Sequence, residues 1–229
     1  STMGWPEDTK LLKKFYPTDA LVTAPEILFF WVARMIMSGL HFTGKLPFRD
    51  IILHGTVRDK TGRKMSKSLG NSIDPLEIIP VYGADALRFS MIMITAQGAD
   101  VYLSKDTFDI GRNFANKLWN ASRFLLSNIN EKIEINSLPS MERLKAEDKW
   151  ILSKLQKTVE SINDALSSYR FNEACHTLYD FTWHEFCDWY IEAKKGDLYQ
   201  NEDPQRRSDA ITLSSFVLAS ILKLLHPIM

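Results

Sequence analysis

Apolar positions follow two regimes along this chain: short runs and mixed spacing up to residue 104, then sustained helical spacing to the end. In the first regime Leu21-Val22-Thr23 reads as a strand. Pro25 opens a helix over 26–38, where its missing N–H costs nothing. Ile27, Trp31, Met35 and Ser38 share one face of that helix, Phe30, Arg34 and Met37 lie beside it, and Gly39 ends it. Ile51-Ile52-Leu53-His54-Gly55 is a continuous apolar run opening on a glycine, the mark of a buried parallel strand. Asp74-Pro75 introduces a short helix over 76–79, and Leu87, Met91 and Ile94 mark another over 85–94. Asp85 and Arg88 read as structural, the arginine tying this region to the helices beyond it.

Beyond Ser104 the spacing predicts four helices. Thr107 or Asp109 caps the first, which carries Phe114, Leu118, Ala121 and Leu125. A polar linker over 128–140 follows. The second covers 144–166 with Leu152, Leu155, Val159, Ile162 and Leu166 as its core stripe, and the third covers 172–193. A break over 196–207 precedes the fourth, 210–225, which Pro227 stops. The fold class is therefore α/β followed by all-α, with an antiparallel helical bundle as the natural packing of four amphipathic helices. The expected division is 1–104 and 105–229.

The 229 residues carry 28 basic and 28 acidic groups, and 45% are hydrophobic. Such a balance suits one large or two modest globular domains and neither favours nor excludes nucleic acid, since charge placement matters more than its sum. Cys175 and Cys187 lie twelve residues apart on one expected helix, roughly 18 Å at helical rise, too far to bridge. So little cysteine points to a reducing, cytoplasmic setting. No apolar run reaches membrane-spanning length, so no membrane partner is expected, and the start has no signal-peptide pattern. His176, His184, Glu185 and Asp188 share a helix, but their spacing does not make a compact tetrahedral set, and no metal site is expected. Trp183, Phe186, Trp189 and Tyr190 read chiefly as packing, with some available to a partner. No Ser-His-Asp set, dinucleotide glycine turn or Walker loop occurs.

The densest chemistry is Lys64-Met65-Ser66-Lys67-Ser68-Leu69-Gly70-Asn71, preceded by Arg58, Lys60, Thr61, Gly62 and Arg63. Lysines on such a loop neutralise charge on transferring phosphoryl oxygens, and glycines let the backbone approach a ligand. The loop follows a buried-type strand, where ligand sites of open α/β sheets lie. The octapeptide resembles the second signature of the class I aminoacyl-tRNA synthetases. Phe29-Phe30-Trp31-Val32-Ala33-Arg34-Met35, His41-Phe42-Thr43-Gly44, Val57-Arg58-Asp59, Tyr82-Gly83-Ala84-Asp85-Ala86-Leu87-Arg88-Phe89 and Arg112-Asn113-Phe114-Ala115-Asn116-Lys117-Leu118-Trp119-Asn120-Ala121 extend the resemblance to the valine-specific branch.

That resemblance implies a partial Rossmann-like catalytic domain with the lysine loop, then a helical domain that receives the tRNA anticodon stem. It implies activation of valine by ATP with Mg2+, loss of pyrophosphate, and transfer to the 3′ end of tRNA(Val). Lys64 and Lys67 would be catalytic; His54, Gly55, Met65, Ser66 and Ser68 would join them in binding ATP. The serines would donate hydrogen bonds or hold the loop's shape, and Gly55 would let a flat base approach the backbone. Glu26 would meet the amino-acid ammonium, and Ile27 and Trp31 would wall the valine side chain. The family more often has aspartate in a Gly-aromatic-Asp pattern where this chain has Ala24-Pro25-Glu26. Arg112, Lys117 and Arg123 are the candidates for tRNA phosphates.

The family's His-Xaa-Gly-His signature and editing insertion are not found here, so the chain reads as an internal piece of a larger, monomeric enzyme. By itself it is expected to be inactive and to self-associate through an incomplete apolar face. Two alternatives stand beside this reading: a non-catalytic RNA-binding module retaining the loop as a relic, and an isoleucyl-type synthetase.

Overall fold

The computed structural model describes residues 2–129, 138–199 and 203–229. By contact the chain falls into two compact units, Ser1–Lys64 with Thr95–Tyr102, and Met65–Ile94 with Leu103–Met229. The first is mixed α/β and the second is helical.

In the first unit, helix α1 (Lys10–Phe15) is capped by Thr9, whose Oγ1 accepts from Leu12 N at 3.1 Å. Strands β1 (Thr18–Thr23) and β2 (Phe48–Leu53) are parallel, with Thr18 opposite Phe48 and Val22 opposite Ile52. A parallel pair needs a crossover, and helix α2 (Ala33–Thr43) with its entry supplies it. That entry is not the expected α-helix. Pro25–Ile27 form a 3-10 turn and Leu28–Val32 a π turn, so the predicted face through Ile27, Trp31 and Met35 is broken. All three are exposed, and Val32 is buried instead.

Nor does Gly39 end α2. A Cβ there would lie 2.9 Å from the Tyr16 hydroxyl and 3.0 Å from Pro47 Cδ, so this glycine serves close packing inside the helix. Gly44, at φ 67°, terminates it. Strands β3 (Val57–Arg58) and β4 (Val101–Tyr102) form a second parallel pair. Both sheets have two strands, and Val22, Phe29, Phe30, Trp31 and Met37 are exposed.

In the second unit, Asp74 caps α3 (Pro75–Tyr82) by accepting from Leu76 N at 2.9 Å. Helix α4 (Ala84–Ile94) buries Ala86, Phe89 and Ser90, while Leu87, Met91 and Ile94, whose spacing marks it in the sequence, are half-buried. The reason is its crossing with α5 (Asp109–Asn128). A Cβ on Gly111 would lie 2.2 Å from Ala86 O, and Ser90 Oγ accepts from Gly111 N at 2.9 Å. Small residues let the backbones meet, and the serine satisfies a donor left open in a first helical turn. Phe89 stacks on Phe114 with centroids 4.3 Å apart. A 3-10 turn, Lys105–Phe108, precedes α5, and Thr107 Oγ1 accepts from Ser104 N at 3.1 Å.

Helix α6 (Ala146–Ser167) buries Leu155 and Ile162 of the predicted stripe together with Ile151, Thr158 and Ala165, while the predicted Leu152, Val159 and Leu166 flank the core. The third helix has three parts: α7 (Phe171–Asp180), a ten-residue π segment (Phe181–Tyr190), and α8 (Ile191–Tyr199). It passes through Gly196, where a break was expected, because Lys194, Asp197 and Leu198 are buried and anchor its last turns. Helix α9 (Pro204–Leu225) starts six residues earlier than expected, with Asp203 Oδ1 accepting from Arg206 N at 3.0 Å. Residues 130–137 of the expected linker and 200–202 of the expected break lie outside the described residues.

By length and composition, α9 is apolar enough to cross a membrane, against the expectation from unbroken runs: Thr212, Ser214 and Ser215 interrupt the run without adding charge. Half of that window is buried, and Ile211, Leu213, Val217 and Ile221 belong to the bundle core. Arg88 Nε donates to Ile228 O at 3.0 Å, tying α4 to the turn after α9.

Candidate functional site

The lysine loop begins as a tight return of the chain after β3. Asp59 builds it: its Oδ1 accepts from Thr61 N at 2.9 Å, Thr61 Oγ1 at 2.6 Å and Arg63 N at 3.0 Å. Gly62, at φ 85°, takes the left-handed conformation that the turn requires. Lys64 then pairs antiparallel with Arg58 in an isolated bridge. Asp59 is named above only within a matching segment; the signal for its role is an aspartate two residues before a Thr-Gly pair, the composition of a side-chain-closed turn.

Arg58 braces the same turn from beneath. Its Nε donates to Asp100 Oδ2 at 2.5 Å and its Nη1 to Gly62 O at 3.0 Å. The other Asp100 oxygen accepts from Thr56 N at 2.9 Å. The Arg58 hydrogen bond, with help from Thr56, holds the Asp100 carboxyl below the usual carboxylate range, and the same bond raises the arginine.

Two predicted site residues meet. Lys64 Nζ donates to Glu26 Oε1 at 3.0 Å, and both side chains are more than half exposed. The Lys64 hydrogen bond and charge hold the Glu26 carboxyl below its ordinary value. Glu26 sits in the 3-10 turn that opens the crossover, immediately after Pro25. Ile27 and Trp31, from the same entry, are 40% and 59% exposed, so neither is enclosed by this chain.

His54 and Gly55 follow β2 directly. His54 N donates to Thr23 O at 3.1 Å, extending the β1–β2 ladder, and its Nδ1 lies 2.9 Å from Gly55 O. Gly55 has a structural reason to be a glycine within this chain, beside the expected approach of a base. A Cβ there would fall 1.7 Å from Ala99 O and 2.9 Å from Asp100 N, so the missing side chain makes room for the chain leading into β4.

Residues 65–70 belong to the second unit. Met65 is half-buried. Ser66 Oγ accepts from Leu69 N at 3.3 Å and caps the 3-10 turn Lys67–Leu69; Gly70, at φ 65°, closes it. Ser66 N donates to Asn71 Oδ1 at 2.9 Å, and the Ser66 and Ser68 hydroxyls are 3.1 Å apart. Of the two roles left open for the serines, Ser66 performs the shape-holding one. Lys67 is exposed on this turn. Asn71, the last residue of the octapeptide and given no role of its own above, fixes where the turn starts.

Within the same unit, Arg112 pairs with Asp109 at 2.7 Å and lies over the Tyr82 ring at 5.3 Å. Lys117 pairs with Asp188 at 2.5 Å and lies over the Trp183 ring at 5.2 Å. Arg123 is exposed on α5. Of the four aromatics read as packing, Phe186 and Tyr190 are buried and Trp189 is 70% exposed. Among the described residues, no three or more His, Cys, Asp or Glu are grouped to hold a metal ion.

Residues 1–104 match the family model of the class I tRNA synthetases (I, L, M and V), and residues 148–229 match that of the anticodon-binding domain of tRNA ligase. The valine–tRNA ligase of Treponema pallidum (strain Nichols) is 50% identical over 99% of this chain and 23% of its own length. That of Thermotoga maritima is 52% identical over 100% of this chain and 26% of its own length. The chain thus spans about a quarter of the curated relatives it matches. Among solved structures, Mycobacterium tuberculosis methionyl-tRNA synthetase in complex with methionyl-adenylate superposes with a TM-score of 0.82 at 21% identity, over 99% of this chain and 45% of that one. The Agrobacterium radiobacter K84 LeuRS-tRNA-LeuAMS complex gives 0.75 at 21% identity, over 97% and 27%. At that identity the two structures speak for the fold, while the valine enzymes match from end to end: the chain belongs to the class I tRNA synthetases, on their valine–tRNA ligase branch.

Proposed function

We propose that this chain supplies the lysine loop and the tRNA-facing helices of an ATP-dependent valine–tRNA ligase. The full-length protein forms valyl-adenylate from valine and ATP and transfers valine to the 3′ end of tRNA(Val). The observation that carries this is the Lys64–Asn71 octapeptide on a built turn after a parallel strand, in a chain half identical to valine–tRNA ligases throughout.

In this reading residues 1–104 are the end of a Rossmann-like catalytic domain and 105–229 a helical anticodon-binding domain; the catalytic family match over 1–104 supports the division. Valine's carboxylate attacks the α-phosphorus of ATP and pyrophosphate leaves. Lys64 and Lys67 neutralise the phosphoryl oxygens as charge moves onto them, a stabilisation that grows toward the transition state. Mg2+ arrives with the phosphates as part of the substrate. His54, Gly55, Met65, Ser66 and Ser68 border the nucleotide. Glu26 takes the ammonium of valine, and Ile27 and Trp31 wall its side chain, their exposure in this chain supporting a face that contacts something else. Arg112, Lys117 and Arg123 meet tRNA phosphates. The enzyme acts as a monomer in the cytoplasm.

The test is amino-acid-dependent ATP–pyrophosphate exchange by the full-length gene product, followed by charging of tRNA. Valine is expected to support exchange far better than isoleucine or threonine, and Ile27→Ala to narrow the valine-to-isoleucine ratio by about tenfold or more, since one methylene in a pocket is worth about 10–200-fold. Preference for isoleucine would establish the isoleucyl-type alternative. RNA binding with no exchange would establish the non-catalytic one.

A further inference from the structure

The Lys64–Glu26 pair joins two groups that the proposed reaction assigns to different substrates, the lysine to the polyphosphate of ATP and the carboxylate to the ammonium of valine. One ammonium head cannot make its full contact with Glu26 and with a phosphate at once. We propose that the pair is a latch opened by either substrate, so that valine and ATP bind cooperatively because each releases the group the other needs. This rests on the function proposed above and adds how its two substrates communicate.

The geometry suits exchange. The Lys64 backbone is held by its bridge to Arg58, and that strand by Asp100, so the stem is fixed while the head is exposed. Glu26 is likewise fixed at its base, within a 3-10 turn opened by Pro25, and exposed at its tip. Solvent-exposed ion pairs are weak. A weak pair between anchored stems yields readily to a substrate charge, whereas a buried pair would not. Valine's ammonium replaces Lys64 on Glu26 with the charges still balanced, and the displaced lysine is then available to triphosphate. Each substrate binding alone must open the latch; the second finds it open. The coupling is reciprocal by linkage and equals the factor by which the closed latch weakens either substrate alone.

The experiment is calorimetric titration of the full-length protein with Mg2+ and a non-hydrolysable ATP analogue, with and without valinol, which carries the ammonium and side chain of valine but no carboxylate to react. Unmodified protein is expected to bind the analogue about two- to fivefold more tightly with valinol present, the range that an exposed pair supports. Glu26→Gln keeps the side chain's shape, removes its charge and should bind the analogue alone more tightly by the same factor, with the valinol effect gone. In a Lys64→Ala background, Glu26→Gln should leave analogue affinity unchanged, which separates release of the lysine from a general loss of negative charge. Unchanged analogue affinity in Glu26→Gln, or an equal gain without Lys64, overturns the latch. If the unmodified protein shows no valine-dependent pyrophosphate exchange, the parent function fails and the latch with it; exchange without coupling removes the latch alone.

Discussion

Arg58 and Asp100, forty-two residues apart, are joined by a 2.5 Å hydrogen bond that pins the strand leading into the lysine loop to the strand beside it. Through its other arm Arg58 holds Gly62 O, so one guanidinium joins that strand to the turn that Asp59 builds. If the full-length protein has the proposed activity, Asp100→Ala is expected to lower kcat of valine-dependent pyrophosphate exchange about ten- to a hundredfold while KM for valine moves less, because a small displacement of a reacting group carries that penalty. Asp100→Glu should recover part of the loss. An unchanged kcat in Asp100→Ala would leave the pair a surface ornament.

Gly55→Ala tests the close approach on the other side of the same strands. Its Cβ would land on Ala99 O, a backbone atom that cannot rotate away. Overpacking of this kind costs about 1–3 kcal/mol. Denaturant unfolding of the full-length protein is expected to show that loss in the transition to which this region contributes. A neutral substitution would contradict the close approach as a constraint on this glycine.

Lys194 is a buried cation of the helical unit, 1% exposed and 2.7 Å from Asp148 Oδ1, 3.2 Å from Glu147 Oε1 and 3.3 Å from Asp197 Oδ2. Tyr190 donates to the same Asp148 oxygen at 2.9 Å, and Lys145 reaches Asp197 at 2.7 Å. Burial alone would lower the Lys194 pKa, but the hydrogen bond and charge of Asp148, then Glu147, outweigh it and the net shift is upward. Its stabilisation is therefore complete below the ordinary lysine pKa and lost as pH rises through the higher folded value. Lys194→Ala leaves the buried Asp148 without its cation, while Asp197 keeps Lys145, and is expected to cost about 3–5 kcal/mol. Lys195→Ala, which removes an exposed pair with Glu192, should cost under about 1 kcal/mol. Thermal unfolding of the two variants side by side decides it, and equal losses would refute the burial argument.

Cys175 and Cys187 are free and buried, and burial pushes their thiols up to about 12 and about 11. The unfolded chain ionises them near 9.0, the folded one only above that. Stability owed to these groups is thus intact below pH 9 and falls as pH rises from about 9 toward 12. At pH 8 the folded protein is expected to resist iodoacetamide at both positions and to react on unfolding in denaturant. Rapid labelling of either cysteine in the folded state would contradict their burial.

The sequence shows its elements where local chemistry decides them. The parallel strand before His54, the Asp74 cap and the helices beyond Ser104 all rest on short-range rules of capping and apolar spacing. It misleads where a partner decides. In α6 Leu155 and Ile162 of the expected stripe are core, but Thr158 and Ala165 share that side while the more apolar Leu152, Val159 and Leu166 flank it, so a stripe chosen by hydrophobicity alone is right only in part. Residues 28–32 and 181–190 wind as π turns, for which a 3.6-residue period has no signal. In the site, the lysine loop was legible because its residues are consecutive. Its supports were not: Glu26 meets Lys64 across thirty-eight residues and Asp100 meets Arg58 across forty-two, and no local pattern encodes either pairing.

Replacing the loop lysines one at a time tests whether they act in phosphoryl transfer. Lys64→Ala and Lys67→Ala, each in the full-length protein, are to be compared with the unmodified protein in valine-dependent ATP–pyrophosphate exchange and in valine affinity. If the lysines act on charge that develops during phosphoryl transfer, exchange falls about 10²-fold or more, the scale seen when an electrostatic stabiliser of a transition state is removed, while valine affinity changes less than about tenfold. Exchange near the unmodified rate in both variants would contradict the assignment of this loop to catalysis.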